Sequence, residues 1–532
     1  RPLGEIAALE AMGEIAILSE QCHTATVRTV RDSVLLRLPR EDLLRLLRRH
    51  PDALMQLSQV VVGRLLERLR RPDPGPPGPR TIAVIPAHPG VDHRAVSARL
   101  ARHLSRLGTT CLLRMENVEE ALGPGAARCR FDTPKPNLQL VKWLNAQEMQ
   151  YQYVIYEADF APGPWARRCM RQADRIVVVA DEDCAPQLTP MLDLLAATDI
   201  EAPVAMLIPL DQRRPASTLP LQWRNIVGLK SSCHFARKGR EDDYARLARN
   251  LVGQGIGLVL SGGGARGFAH LGLLQAAQDL GIPIDNVGGA SMGAFIGALH
   301  AAEYSIEDMI EIVRETFVRR NFLNDYTLPR FALIRARRFR HRLEEIFGGL
   351  HIEQLPRPYY CVSSNLSNGE SLVHRDGPLG MWVGVSMSVP GIAPPLVWHD
   401  SLLVDGGVLN NLPTDVMREL GRGPVIASDV SSDSALRAEG LAGPDPEALL
   451  HWPLQAQRPG LFEILMRSAT LTSDAYCRDR SAVADCYIRM PVQGVGMFDW
   501  KSLDALMDTA RQHSRRPLER FREQWPQARL AA

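Results

Sequence analysis

Three short glycine-bearing stretches carry the residue types that acyl-transfer chemistry needs. Gly289-Ala290-Ser291-Met292-Gly293 has the form G-x-S-x-G, in which a tight turn presents a serine hydroxyl and glycine neighbours avoid colliding with it. Ser261-Gly262-Gly263-Gly264-Ala265-Arg266-Gly267 places consecutive glycines where backbone N–H groups can face a developing oxyanion. A helix starting there adds positive potential. Asp405-Gly406-Gly407 sets a carboxylate on a glycine turn, where it could take up a proton. Taken singly these patterns are weak, since G-x-S-x-G also fits a plain strand-to-helix turn and D-G-G is common in turns. Gly262, Gly264 and Gly267 also satisfy G-x-G-x-x-G, a dinucleotide fingerprint. That fingerprint needs an acidic residue at the end of the second strand, and Asp285 comes before that strand. The three stretches in this order favour a serine nucleophile over a dinucleotide site.

Such residues need rigid elements to hold them. The run 256–261 (IGLVLS) reads as a buried strand, 268–280 as a helix closed by Gly281 and Pro283, and Asn286–Gly289 as a second short strand. A helix is expected over 294–302, and 424–430 is another strand. Upstream, Thr81–Pro86, Tyr153–Glu157, 175–180 and 203–209 are β-branched runs separated by helical stretches, the pattern of a parallel sheet covered on both faces. The segment 72–79 (PDPGPPGP) can be neither helix nor central strand and reads as a linker. The expected domains are therefore 1–71, the linker 72–79, an α/β domain over 80–250, a catalytic α/β domain over 251–436, and a helical extension over 437–532.

Composition narrows the class. The chain has 532 residues, 62 Lys+Arg against 60 Asp+Glu, and 45% apolar residues. A net charge of +2 gives no pull toward nucleic acid. Nine cysteines without a C-x-x-C pair fit reduced thiols and a cytoplasmic setting better than disulfides or zinc. No apolar run reaches the length of a membrane span. The chain opens at Arg1, as a fragment would, which leaves an upstream anchor open. No metal-ligand spacing is present, and neither metal nor cofactor is expected.

The sequence resembles the patatin-like phospholipases, and within them the neuropathy target esterase group. The resemblance rests on GGGARGFAHLGLL at 262–274, GASMGA at 289–294, SVPGIAPPL at 388–396 and LLVDGGVLNNLP at 402–413. It implies a patatin-like α/β hydrolase domain, an acyl-enzyme and a Ser-Asp dyad, with Ser291 as nucleophile and Asp405 as base. Gly262, Gly263, Gly264 and Arg266 would form the oxyanion hole, and Gly289 and Gly293 the nucleophile elbow. A triad would need a histidine. His270 and His399 flank the motifs but read as packed or solvated, and His451 and His513 sit in no motif. The implied substrate is a phospholipid or lysophospholipid ester, releasing fatty acid.

The N-terminal stretch resembles a cyclic-nucleotide-binding domain through Gly13-Glu14 and Thr24-Ala25, but His23 stands where that family has the phosphate-binding Arg. Cyclic nucleotide is therefore not an expected ligand. The helical stretch 40–71 resembles the closing helices of that domain, with Leu43, Leu44, Leu47, Leu54 and Leu57 as its apolar face. Residues 80–250 resemble the Rossmann-like region of the same group. Their first loop, Ala87-His88-Pro89-Gly90-Val91-Asp92-His93, lacks the glycines and lysine of a phosphate-wrapping loop.

Residues 328–347 interleave arginines with Phe331, Leu333, Ile334, Phe339 and Leu343. They read either as a solvated helix packed on the domain or as a segment lying peripherally on an anionic membrane. Met387, Val389, Ile392 and Leu396 could line an acyl channel or pack the core. The rival reading for the whole chain is a catalytically weak regulatory scaffold that binds nucleotide or membrane.

Overall fold

The computed structural model describes residues 11–13, 16–17, 26–27, 35–70, 79–183, 185–198, 202–211, 219–227, 233–431, 447, 464–465, 467–468, 471, 473 and 480–526. The expected linker lies almost wholly outside these residues, as do Glu14, His23, Thr24 and Ala25. Continuous apolar runs form strands buried on both faces, and helices follow them, which is the logic of a parallel α/β sheet. Two sheets result.

The first contains β1 (Thr81–Pro86), β2 (Thr110–Leu113), β3 (Tyr153–Glu157), β4 (Arg175–Val179), β5 (Val204–Leu210) and β6 (Cys233–Arg237). Its order is β2-β3-β1-β4-β5-β6, and β1 pairs in parallel with β3 and β4. The second contains β7 (Gly257–Leu260), β8 (Asn286–Gly289), β9 (Tyr359–Asn365), β10 (Glu370–His374), β11 (Leu396–Trp398), β12 (Ser401–Asp405), β13 (Val425–Asp429) and β14 (Cys486–Arg489). It runs β11-β12-β9-β8-β7-β13-β14, with β10 also on β9. By contacts the chain divides into two compact units, one of Arg1–Ala180, Leu188–Met206 and Leu229–Ser231, the other of Asp181–Gln187, Leu207–Gly228 and Ser232–Ala532.

The second sheet is mixed in direction. β7, β8, β9, β13 and β14 pair in parallel, whereas β10 and β12 run antiparallel on β9. β8 pairs with Tyr359–Cys361 of β9, and β12 pairs with Ser363–Asn365. The last residue of β12, Asp405, therefore comes up beside the turn that leaves β8. Beneath that turn lies an aromatic cluster. Phe295 meets Phe317 edge to face at 5.6 Å, and Phe317 stacks on Trp500 at 5.0 Å. Phe268, from the glycine loop, leans on both Phe317 and Trp500. One buried core thus supports both glycine turns and the C-terminal segment.

Two expectations need correction. The stretch 328–347 is not one helix: the helix spans Arg337–Phe347 and turns Phe339, Leu343, Ile346 and Phe347 into the core, while 326–336 is an irregular loop. Its arginines include Arg335 and Arg337, which bracket an Ala336 in left-handed conformation that starts the helix. In the N-terminal region, helices Arg40–Arg49 and Pro51–Arg70 form, but of the expected apolar face only Leu47 is buried. Leu43, Leu44 and Leu57 are half-buried, and Leu54 is exposed together with Leu46 and Met55.

Candidate active site

Ser291 ends the turn out of β8 and precedes the helix Met292–Ala301. Its φ of 52° with ψ of −124° is a region that non-glycine residues rarely occupy, so the turn is strained. The strain persists because the surroundings leave no alternative. A Cβ on Gly293 would fall 2.2 Å from the Leu260 carbonyl oxygen, and one on Gly289 would fall 2.7 Å from the Gly293 carbonyl carbon. Both elbow glycines are thus fixed by close backbone approach. The Ser291 N–H donates to Ser386 Oγ at 3.0 Å, which pins the turn from the helix Leu379–Ser386.

The Ser291 hydroxyl donates to Asp405 Oδ2 at 2.6 Å, although 114 positions separate the two. Asp405 Oδ1 accepts from the Gly407 N–H at 2.7 Å, so the glycine turn orients the carboxylate. Burial pushes the Asp405 carboxyl up to about 6, even though the Ser291 and Gly407 hydrogen bonds pull the other way. Its backbone N–H donates to the Ser388 carbonyl, which ties β12 to the segment carrying Ser386.

The glycine loop runs beside them. A Cβ on Gly262 would meet Ser291 Cβ at 2.8 Å. The expected donors divide into two kinds. The Gly262 N–H is already taken, by Asn411 Oδ1 at 3.1 Å and the Asn411 carbonyl at 3.3 Å. Arg266 also faces away from the oxyanion role: its N–H donates to the Gly263 carbonyl and its Nε to the Val495 carbonyl at 2.8 Å. Burial lowers the Arg266 guanidinium from its ordinary range. Gly263 and Gly264 are different, because their N–H groups have no hydrogen-bond partner among the described residues. Gly264 adopts φ +59°, and a Cβ there would fall 2.3 Å from the Met497 carbonyl oxygen. Ala265 donates to that same oxygen at 2.8 Å.

Histidines take no part in the Ser291 contact. His270 is buried, with Nδ1 on Ser428 Oγ at 2.8 Å and Nε2 on the Ser261 carbonyl at 2.9 Å. Burial pushes it down to about 4, so it stays neutral and acts as a pin under the glycine loop. His399 and His513 are exposed, and His451 lies outside the described residues. Met387, Val389, Ile392 and Leu396 are half-buried, and Met387 and Leu396 pack against the core.

Sequence reasoning gave no role to Asn411, Ser386, Val495 or Met497. Asn411 also donates through Nδ2 to the Gly262 carbonyl at 3.2 Å, clamping that residue from both sides. It stands inside the quoted 402–413 motif, where its second asparagine was the available signal. The Val495 and Met497 contacts use backbone carbonyls, which no residue type announces.

Comparison with known proteins adds to this geometry. Residues 258–418 match the family described as Patatin-like phospholipase, 79–234 the Neuropathy Target Esterase family P-loop like domain, and 1–50 the Cyclic nucleotide-binding domain. A relative in Pongo abelii, Patatin-like phospholipase domain-containing protein 6, is 31% identical over 96% of this chain and 41% of its own length. Patatin-like phospholipase domain-containing protein 7 of Rattus norvegicus is 30% identical over 96% of the chain and 42% of its own length. Lysophospholipase NTE1 of Cryptococcus neoformans is 29% identical over 97% of the chain and 36% of its own length. The chain thus spans about two fifths of the length of these relatives.

Proposed function

Since this chain carries the patatin-like phospholipase domain and the two domains that accompany it in the neuropathy target esterase group, and belongs to that group, we propose that it is a serine esterase that hydrolyses acyl esters of phospholipids or lysophospholipids. The observation that carries this reading is the 2.6 Å hydrogen bond from a strained, buried serine to a buried carboxylate with a raised pKa. The name of one relative, Lysophospholipase NTE1, supports the lysophospholipid as substrate.

In the proposed reaction, Ser291 Oγ attacks the ester carbonyl carbon as its proton passes to Asp405. The negative charge that develops on the carbonyl oxygen is met by the Gly263 and Gly264 N–H groups. Preorganised donors of this kind are each worth about 3 kcal/mol to the transition state. Collapse expels the alcohol, which takes the proton from Asp405, and leaves an acyl ester on Ser291. Water then attacks that ester as Asp405 again accepts a proton, and on collapse Ser291 Oγ takes that proton back as the leaving group, which frees the fatty acid and restores both residues. A carboxylate with an ordinary pKa is a poor base toward a hydroxyl. Burial raises its basicity, which suits it to the part. Peripheral contact with a lipid surface belongs to the proposal, because the substrate resides there.

The experiment is fatty-acid release from lysophosphatidylcholine by wild type and Ser291→Ala, with thermal melts to check folding. The variant is expected to lose about a thousandfold or more. Equal, inert behaviour of both on this and on simple acyl esters would leave a regulatory scaffold as the better reading.

A further inference from the structure

Loop 326–334 is apolar at its tip, where four large side chains face solvent while Ala332 and Ile334 are buried. Tyr326 is 72% exposed, Leu328 73% and Phe331 83%, with Leu333 also exposed. Single exposed apolar residues are ordinary, but four in one short loop form a patch. A second apolar strip lies on the β11–β12 hairpin. Val397 pairs with Leu402 there, both are exposed, and the Leu366 N–H donates to the Leu402 carbonyl, adding a third exposed side chain. Trp398 extends the strip.

The two prominences stand together. Ala332 bridges to Gly391, the Leu333 N–H donates to the Gly391 carbonyl, and the Ile334 N–H donates to the Ile392 carbonyl, each at 2.9 Å. The chain then runs from Ile392 directly into β11. They also stand at the site. The stretch 386–392 starts at the Ser386 hydroxyl that holds the Ser291 turn and ends at the loop 326–334 contact. Going from Asp405 back to Leu402, β12 passes Ser363 and then Asn365 of β9, so the hairpin extends past the carboxyl ends of the parallel strands, where Ser291 lies.

Charge identifies what would cover this patch. From Tyr326 to Leu343 the chain has six arginines and no Asp or Glu. Arg330, Arg335, Arg337, Arg338 and Arg340 are exposed, and none of these forms a carboxylate ion pair among the described residues. The nearby Asp325 is occupied by the N–H groups of Ala336, Arg337 and Arg338. Exposed apolar tips beside unneutralised arginines match a bilayer whose surface carries negative charge and whose interior accepts apolar groups. No helix among the described residues is long and apolar enough to cross a membrane. We infer that loop 326–334 and the β11–β12 hairpin together form a docking surface for an anionic phospholipid bilayer, placing the mouth of the site at the lipid from which it draws its acyl ester. The inference rests on the esterase reading for its purpose, while the docking itself is measured without catalysis.

The test is flotation with vesicles of phosphatidylcholine alone and with added phosphatidylglycerol, with hydrolysis of a water-soluble short-chain ester followed in parallel. Wild type is expected to float with the anionic vesicles and to be released at high salt. Leu328→Ser combined with Phe331→Ser, and separately Val397→Ser, should weaken partitioning about tenfold or more. Arg330→Gln combined with Arg335→Gln should weaken it by about tenfold on anionic vesicles alone. All these variants should keep the soluble-ester activity, which also reports that they fold. Vesicle binding that is unchanged in every variant would overturn the inference. So would a dimer of the chain that the same substitutions dissociate, because the patch would then belong to a second copy. Binding through the patch by a wild type that cleaves no ester would keep the docking surface and remove the esterase reading.

Discussion

The two sheets of this chain lead from a buried strand into a helix through loops of opposite character. After β1 the loop 87–92 pairs most of its backbone donors. Ala87 donates to the Val179 carbonyl, Gly90 to His88 Nδ1, and the Asp92 side chain caps the next helix by accepting from Ala95 at 3.1 Å. After β7 the loop leaves Gly263 and Gly264 with N–H groups that have no partner among the described residues. After β8 the elbow holds Ser291 at positive φ. Parallel α/β architecture is common to both sheets. In the proposed esterase reading, reactive capacity comes from the loops that leave backbone donors and strain uncompensated, and these loops are braced from a distance by Asn411, Ser386 and the carbonyls of Val495 and Met497.

The comparison can be broken at four points, from the largest expected effect to the smallest. Asp405→Asn should cost on the order of a thousandfold in ester hydrolysis. Wild-type kcat/KM should rise with pH through about 6 as the carboxylate deprotonates, and the variant should lack that limb. Stability moves in the other direction. The folded carboxyl titrates above its ordinary 3.8, so its favourable contribution is complete below that value and is lost as pH rises through 6. Asp405→Asn should therefore melt higher than wild type at neutral pH, and a lower melting temperature would contradict the burial argument.

Gly264→Ala comes next. It forces a Cβ into a positive-φ position and against the Met497 carbonyl, so the oxyanion donors should shift and the rate fall by about a hundredfold. The matched change in the other loop, Gly90→Ala, meets nothing closer than 3.5 Å and should leave activity intact. Equal effects would erase the distinction between the loops. Arg266→Met removes the Nε contact to Val495 and should lower kcat by about tenfold with little change in KM. Rescue by Arg266→Lys would sharpen the case for a brace. Smallest, Asp92→Ala removes an ordinary cap and should cost about 1 kcal/mol by denaturant unfolding with no effect on the rate.

Much of this contrast was legible in the sequence because it lies in unbroken patterns. The runs TIAVIP, YVIYE and NVGG form strands at the expected places, since uninterrupted β-branched or glycine-flanked runs have few other uses. Short or mixed strands escaped. β2 is only four residues, three of them half-buried, and β9 (YYCVSSN) ends in Ser-Ser-Asn, which reads as loop until its central place in the sheet buries it. At the site, Ser291 and Asp405 were legible because their glycine neighbours mark the turns. Gly262 and Arg266 were placed with the donors although Asn411 and Val495 already hold them, and those partners come from distant sequence. The basic segment was half legible: its arginines and apolar residues were visible, but not that the helix begins only at Arg337.

The most direct test of the central account is whether Ser291 becomes acylated with Asp405 as its base. Wild type, Ser291→Ala and Asp405→Asn would be mixed with a chromogenic acyl ester, quenched at short times and weighed by intact-protein and peptide mass spectrometry. The account predicts one acyl adduct on Ser291 in wild type, none in Ser291→Ala, and an adduct forming on the order of a thousandfold more slowly in Asp405→Asn. An adduct on another residue, or one forming at the wild-type rate in Asp405→Asn, would contradict it.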